Sequence, residues 1–84
     1  MTRKDALDID AVHRYLWKKA NRQGKITFLR TAVAKELGVT VFTVSRIMTQ
    51  MQAENRAFKM MAAYRSGCTF RLVDPDEWEL AHEA

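Results

Sequence analysis

Ile9, Val12, His13, Leu16, Trp17 and Ala20 recur three and four residues apart, the spacing that lines one face of a helix, while Arg14, Lys18, Lys19 and Arg22 fall on the other face. Asp5, Asp8 or Asp10 suits its start and Asn21 to Gly24 its end. Lys25-Ile26-Thr27-Phe28 is short, β-branched and aromatic, as a brief strand or extended link is. Leu29, Ala32, Val33, Glu36 and Leu37 return to helical spacing until Gly38, where a left-handed residue lets a helix stop and the chain turn. Val39 is expected to pack inside that turn. Thr40 suits the N-cap of a third helix, its hydroxyl accepting from an N–H one turn ahead. On that helix Val44, Ile47, Met48 and Met51 form the buried stripe, with Val41 at its edge. Phe42, Arg46, Thr49, Gln50 and Ala53 line the opposite face, flanked by Thr43 and Ser45, and Glu54-Asn55 ends the helix.

From Arg56 the period changes to two. Phe58, Met60, Ala62 and Tyr64 alternate with Ala57, Lys59, Met61 and Ala63, and Met60 fits the core side by period. Arg65-Ser66-Gly67 supplies turn chemistry before Thr69-Phe70-Arg71-Leu72-Val73 alternates again, so a β-hairpin with Arg65 at its tip is expected. Asp74-Pro75-Asp76-Glu77 combines a capping Asp, a proline at the first helical position and a Glu three residues after the cap, which predicts a short last helix carrying Trp78.

With 48% hydrophobic and 29% charged residues, the 84-residue chain reads as one globular α+β domain rather than a disordered segment. A single cysteine, Cys68, excludes an internal disulfide framework, and no Cys/His cluster stands at metal-ligand spacing, so packing must hold the core and no cofactor is expected. No apolar run approaches the roughly 18 residues of a membrane span, and Met1-Thr2-Arg3-Lys4 does not lead into a signal-peptide core; a soluble, cytoplasmic protein is expected. The net charge of +4 conceals an asymmetry. Residues 1–73 hold all fourteen Lys and Arg but only five acids, a balance of +9, and the last eleven residues hold the other five acids. A body this basic is a suitable footprint for phosphate backbones. No nucleophile–base pair, carboxylate pair or phosphate-cradling glycine loop is present, so the sequence does not read as an enzyme.

The order helix, short strand, helix, tight Gly turn, helix, hairpin, with "AKELGVT" at residues 34–40 and "TVSRIM" at residues 43–48, resembles the winged helix-turn-helix family, including small prokaryotic and phage transcription regulators. The likeness covers residues 8–73. It implies a winged helix-turn-helix domain over residues 1–73, with a three-helix core and a C-terminal hairpin wing, followed by a short acidic terminal helix over residues 74–84. It also implies a sequence-preferring protein that binds double-stranded DNA, helix 40–54 lying in the major groove and wing 56–73 meeting the backbone or minor groove. By match to the family, Arg46 reaches a base edge, with Thr43, Ser45, Thr49, Gln50 and Phe42 beside it. Thr40 and Thr43 hold phosphates at the helix start. Arg65 and Ser66 form the wing tip, Lys59 and Arg71 support it, and Lys18, Lys19, Lys25 and Arg30 are candidates for flanking phosphates. Many such proteins bind as homodimers, and a chain of this size has no room for a small-molecule sensor domain.

Val41-Phe42 departs from that family, whose members often carry polar residues or proline there. Three roles suit Phe42: contact with thymine methyl groups, anchorage of a protein partner, or folding sideways onto the body. The second makes the chain a protein-interaction module on the same fold; an architectural DNA-binding factor is a further variant. His13 reads as a boundary core residue, Trp17 as core, Trp78 as an anchor for the last helix or a dimer contact, and Cys68 as a turn-flanking cysteine. The acidic tail either offsets the basic body as a solvated helix or docks on another copy.

Overall fold

The computed structural model describes residues 8–63 and 67–82. Its elements follow the order α1 (Ile9–Lys19), β1 (Lys25–Phe28), α2 (Arg30–Leu37), α3 (Val41–Ala53), β2 (Ala57–Ala63), β3 (Gly67–Leu72) and α4 (Pro75–Ala81). They form a small α+β unit with four helices and one three-stranded antiparallel sheet. The expected hairpin tip, with Arg65 and Ser66, lies outside the described residues. Among those described, no helix is long and apolar enough to cross a membrane.

Local chemistry accounts for most element ends. Asp8 is the cap that α1 uses, its carboxylate accepting from the Asp10 N–H at 3.1 Å. Gly38 ends α2 with φ of 73°, and the Val39 N–H then reaches back to the Ala34 carbonyl at 2.9 Å, closing the tight turn. Thr40 caps α3 by accepting from the Thr43 N–H at 3.1 Å. Asn55, at φ of 63°, carries the chain from α3 into β2. Asp74 and Pro75 open α4 as the sequence implies.

The helices cover one face of the sheet. Val12 and Leu16 of α1, Val33 and Ala34 of α2, and Val44, Ile47, Met48 and Met51 of α3 meet Ile26, Phe28, Phe70 and Leu72. The Phe28 and Phe70 rings stack with centroids 5.7 Å apart. On α2 the expected stripe is shifted: Val33 and Ala34 are buried, whereas Leu29 caps the helix by its backbone alone and is exposed.

The sheet order is β1-β3-β2, which places the last strand at the centre. Ile26 pairs with Phe70, and Phe70 with Lys59, so these three positions share the face turned toward the helices. Lys25, Arg71 and Phe58 form the next row, on the outer face, where the Arg71 guanidinium lies 4.9 Å from the Phe58 ring. Two expectations are corrected here. Phe58 faces outward while Ala57 is buried, and Met60, expected in the core, is 49% exposed. Ala57 and Lys59 take the helix side opposite Leu72 and Phe70, which turns Phe58 outward, and Met60 is an extra residue at a bulge, since Lys59 pairs with Phe70 and Met61 with Thr69.

The acidic helix α4 packs on this same chain. Asp76 and Glu79 bridge to Arg14 at 2.9 and 3.3 Å, and the Trp78 indole N–H donates to the Glu54 carbonyl at 2.8 Å.

Candidate functional site

Arg46 is the only charged residue in the thirteen of α3, and it stands on the side of the helix away from the core. Phe42, one turn earlier, is 74% exposed and is the most exposed large apolar side chain among the described residues. Thr49 and Ala53 continue this ridge, because residues three and four apart share a helix face. The result is an open stripe with an aromatic ring, a guanidinium and no acid.

The stripe is narrower in chemistry than the sequence suggests. Thr43, expected to flank the open face, is 6% exposed, and its hydroxyl lies 3.1 Å from that of Thr40 inside the helix cap. It is therefore a capping residue, closed off from contact with a large partner. Ser45 is partly buried and its hydroxyl accepts from the Arg30 guanidinium at 2.9 Å. Thr49 donates its hydroxyl proton to the Ser45 carbonyl, four residues back, at 3.0 Å. The Gln50 side-chain amide donates to a Glu54 carboxylate oxygen at 2.9 Å. That bond is the main reason the Glu54 carboxyl is held below its ordinary pKa, with Arg56 adding to it against the cost of burial. Among the described residues, Arg46 is the polar side chain of this stripe that makes no hydrogen bond, and Phe42 is its large apolar one.

Arg30 belongs beside this stripe. Its bond to Ser45 spends one donor of the guanidinium fork and holds the rest next to α3. Lys59 is exposed on the edge strand β2, at a register position on the helix side of the sheet. Lys25 and Arg71 are paired on the opposite, outer face, so they form a separate basic row. Lys19 is drawn elsewhere: it bridges Glu36 at 3.5 Å and lies 5.4 Å from the Tyr15 ring, beside an open groove of about 710 Å³ between α1, β1 and α2. Tyr15 also donates to Glu36. Lys18 is exposed on α1, with no carboxylate partner among the described residues.

A second polar cluster was not legible beforehand. Arg56 is almost fully buried, donates from Nη1 to Asp10 at 2.6 Å and from Nε to Glu54 at 2.8 Å, and stacks on Trp78 at 3.7 Å. His13, wholly buried, donates from Nε2 to the Val73 carbonyl at 2.7 Å, which leaves Nδ1 to accept from Arg56 at 3.4 Å. Burial pushes the His13 pKa below 6.5; the Val73 bond opposes this and Arg56 adds to it. Arg14 is shifted the other way, its charged form favoured first by the bond to Asp76. Asp10, Glu54, Asp76 and Glu79 are thus engaged with Arg56 and Arg14, and Glu36 with Lys19. Five acids of the described residues are paired with Arg14, Lys19 and Arg56, and the α3 stripe keeps its positive charge.

Comparison with protein-family models, with curated proteins and with solved structures finds no match to this chain. No group of three or more potential metal ligands occurs among the described residues.

Proposed function

We propose that this chain is a sequence-preferring double-stranded DNA-binding protein with a winged helix-turn-helix arrangement, acting as a small transcription regulator that occupies operator DNA. One observation carries the reading: α3 turns outward a stripe without acids whose only charge, Arg46, has no carboxylate partner among the described residues, while Arg30 is bonded to the same helix and the acids pair elsewhere. In this reading α2 and α3, joined at Gly38, form the helix-turn-helix, and β2 and β3 form the wing.

A 13-residue helix is about 20 Å long and fits a major groove about 12 Å wide. Arg46 there meets guanine O6 and N7 with two parallel hydrogen bonds. Arg30, Lys59 and the capped start of α3 at Thr40 meet phosphates and set the register. Thr43, shut inside the cap, and Ser45, holding Arg30, support the helix instead of reading bases, while Thr49 and Gln50 each keep hydrogen-bonding capacity beyond their one local bond. A homodimer on a two-fold symmetric site accords with the reading.

The test is selection of bound duplexes from a random pool at near-physiological salt, in parallel for the wild type and Arg46→Ala. An enriched motif that weakens in the variant is the expected result. Salt-sensitive binding with no enrichment sinks the sequence-reading part.

The exposure of Phe42 also favours a second reading, a protein-interaction module on the same fold that docks through this ring. Under it, Phe42→Ala abolishes a protein complex and leaves DNA affinity unchanged.

A further inference from the structure

We propose that Phe42 selects a thymine through its C5-methyl group, one or two base pairs from the base pair read by Arg46. The inference rests on the DNA-binding reading above and extends it to a particular chemical group on the DNA.

The exposure of Phe42 beside Arg46 leads to it, with the other polar side chains of α3 each engaged in at least one bond. Thr43 is shut inside the helix cap, Ser45 accepts from Arg30, Thr49 donates to its own helix backbone, and Gln50 donates to Glu54. Among the outward side chains of the described helix, Arg46 and Phe42 are then the two large ones that make no bond within the protein. Phenylalanine has no donor or acceptor, so it can recognise only an apolar feature. The major-groove edge of DNA offers one, the thymine methyl.

The spacing agrees. Four residues of helix rise about 6 Å, against about 3.4 Å between successive bases on a strand, so contacts from positions 42 and 46 fall one or two steps apart. The charge around the ring agrees as well: the helix has no acid, Arg46 follows one turn later, and Arg30 is held at Ser45 on the adjoining side. A polyanion is the surface that such a rim attracts, and it brings the methyl groups with it.

The probe is a duplex enriched from the random pool, compared with the same duplex in which single thymines are replaced by uracil, a change that removes the methyl and nothing else. Wild type is expected to lose about fourfold in affinity at one thymine, the worth of burying one methyl-sized group. Phe42→Ala is expected to bind the thymine and uracil duplexes equally. Exchanging that T·A pair for 5-methylcytosine·G should cost less than exchanging it for C·G. If wild type binds the selected duplex and is indifferent to uracil at every position, the methyl assignment is overturned while the DNA-binding reading stands. If no duplex is enriched, the reading beneath it fails, and a protein surface becomes the occupant of this face. Because the methyl is removed from the DNA, protein folding does not enter the central comparison.

Discussion

The guanidinium of Arg56 lies over the Trp78 ring, 3.7 Å from its centre, and bonds to Asp10 and Glu54, while the His82 ring stacks on the same indole at 4.0 Å. One side chain thereby joins α1, the end of α3 and α4. Breaking the pairs leaves two carboxylates without their cation. Arg56→Ala should destabilise by about 2–4 kcal/mol, somewhat less than a wholly buried pair because Asp10 is half exposed. Trp78→Phe retains the stack but loses the N–H bond to Glu54, and should cost about 1 kcal/mol. Urea unfolding of both variants checks the order; equal losses would mean that the ion pairs and the stack together contribute no more than the single indole hydrogen bond.

His13 makes stability depend on pH in a definite direction. Folding lowers its pKa below 6.5, so the unfolded chain binds more protons in the window just under pH 6.5. Stability is therefore full above about pH 6.5 and falls as pH drops through the unfolded value toward the folded one. Protonation also places an N–H against the Arg56 guanidinium, where a lone pair now accepts. Glu54, whose carboxyl is held below 4.5, contributes stability that is present above that value and lost as pH falls further. The melting temperature should fall between pH 7 and pH 5, and His13→Gln should flatten that interval. An unchanged slope in the variant would assign the dependence to other groups.

Gly38 faces open space, so a methyl group there meets no neighbour, yet its φ of 73° is one that residues with a side chain resist. Gly38→Ala should cost about 1 kcal/mol from backbone strain alone. That corresponds to about 4–8 °C in melting temperature for a domain of this size. Gly38→Asn, which tolerates the left-handed region better, should recover part of the loss.

Arg46 and Arg30 should separate on DNA. Arg46→Ala is expected to lower discrimination between the selected and a scrambled duplex by about 1–3 kcal/mol. Arg30→Ala is expected to weaken both duplexes together and to make the slope of log affinity against log salt shallower by about 0.9, one phosphate contact. Salt titrations of the two variants distinguish the roles. A loss of discrimination in Arg30→Ala would show that its bond to Ser45 also orients α3 for reading.

Period and capping chemistry made the helices legible, because both act within a turn or two of chain. The α1 stripe, the Gly38 stop, the Thr40 cap and the Asp74-Pro75 start all stand as the spacing implies. So does the exposure of Phe42 and Arg46, which follows from the stripe of Val44, Ile47 and Met48 on the other side of the helix. The β2 strand was less legible. A bulge of one residue inverts a period-two pattern, and nothing within the segment announces that Met60 will be the extra residue.

Where helices begin and end, which of their faces are apolar, and the large positive excess of residues 1–73 all follow from neighbours along the chain. Which of those charges find partners is settled by packing. Arg56 finds Asp10 forty-six residues away, Arg14 finds Glu79 sixty-five residues away, and Arg30 crosses to Ser45 on the next helix. Periodicity is a property of neighbours along the chain, whereas a polar side chain is spent or free according to what packing brings within about 3 Å of it. Ser45 shows the difference: only the fold reveals that its hydroxyl is taken by Arg30, whereas the bonds of Thr43, Thr49 and Gln50 stay within three or four residues of chain.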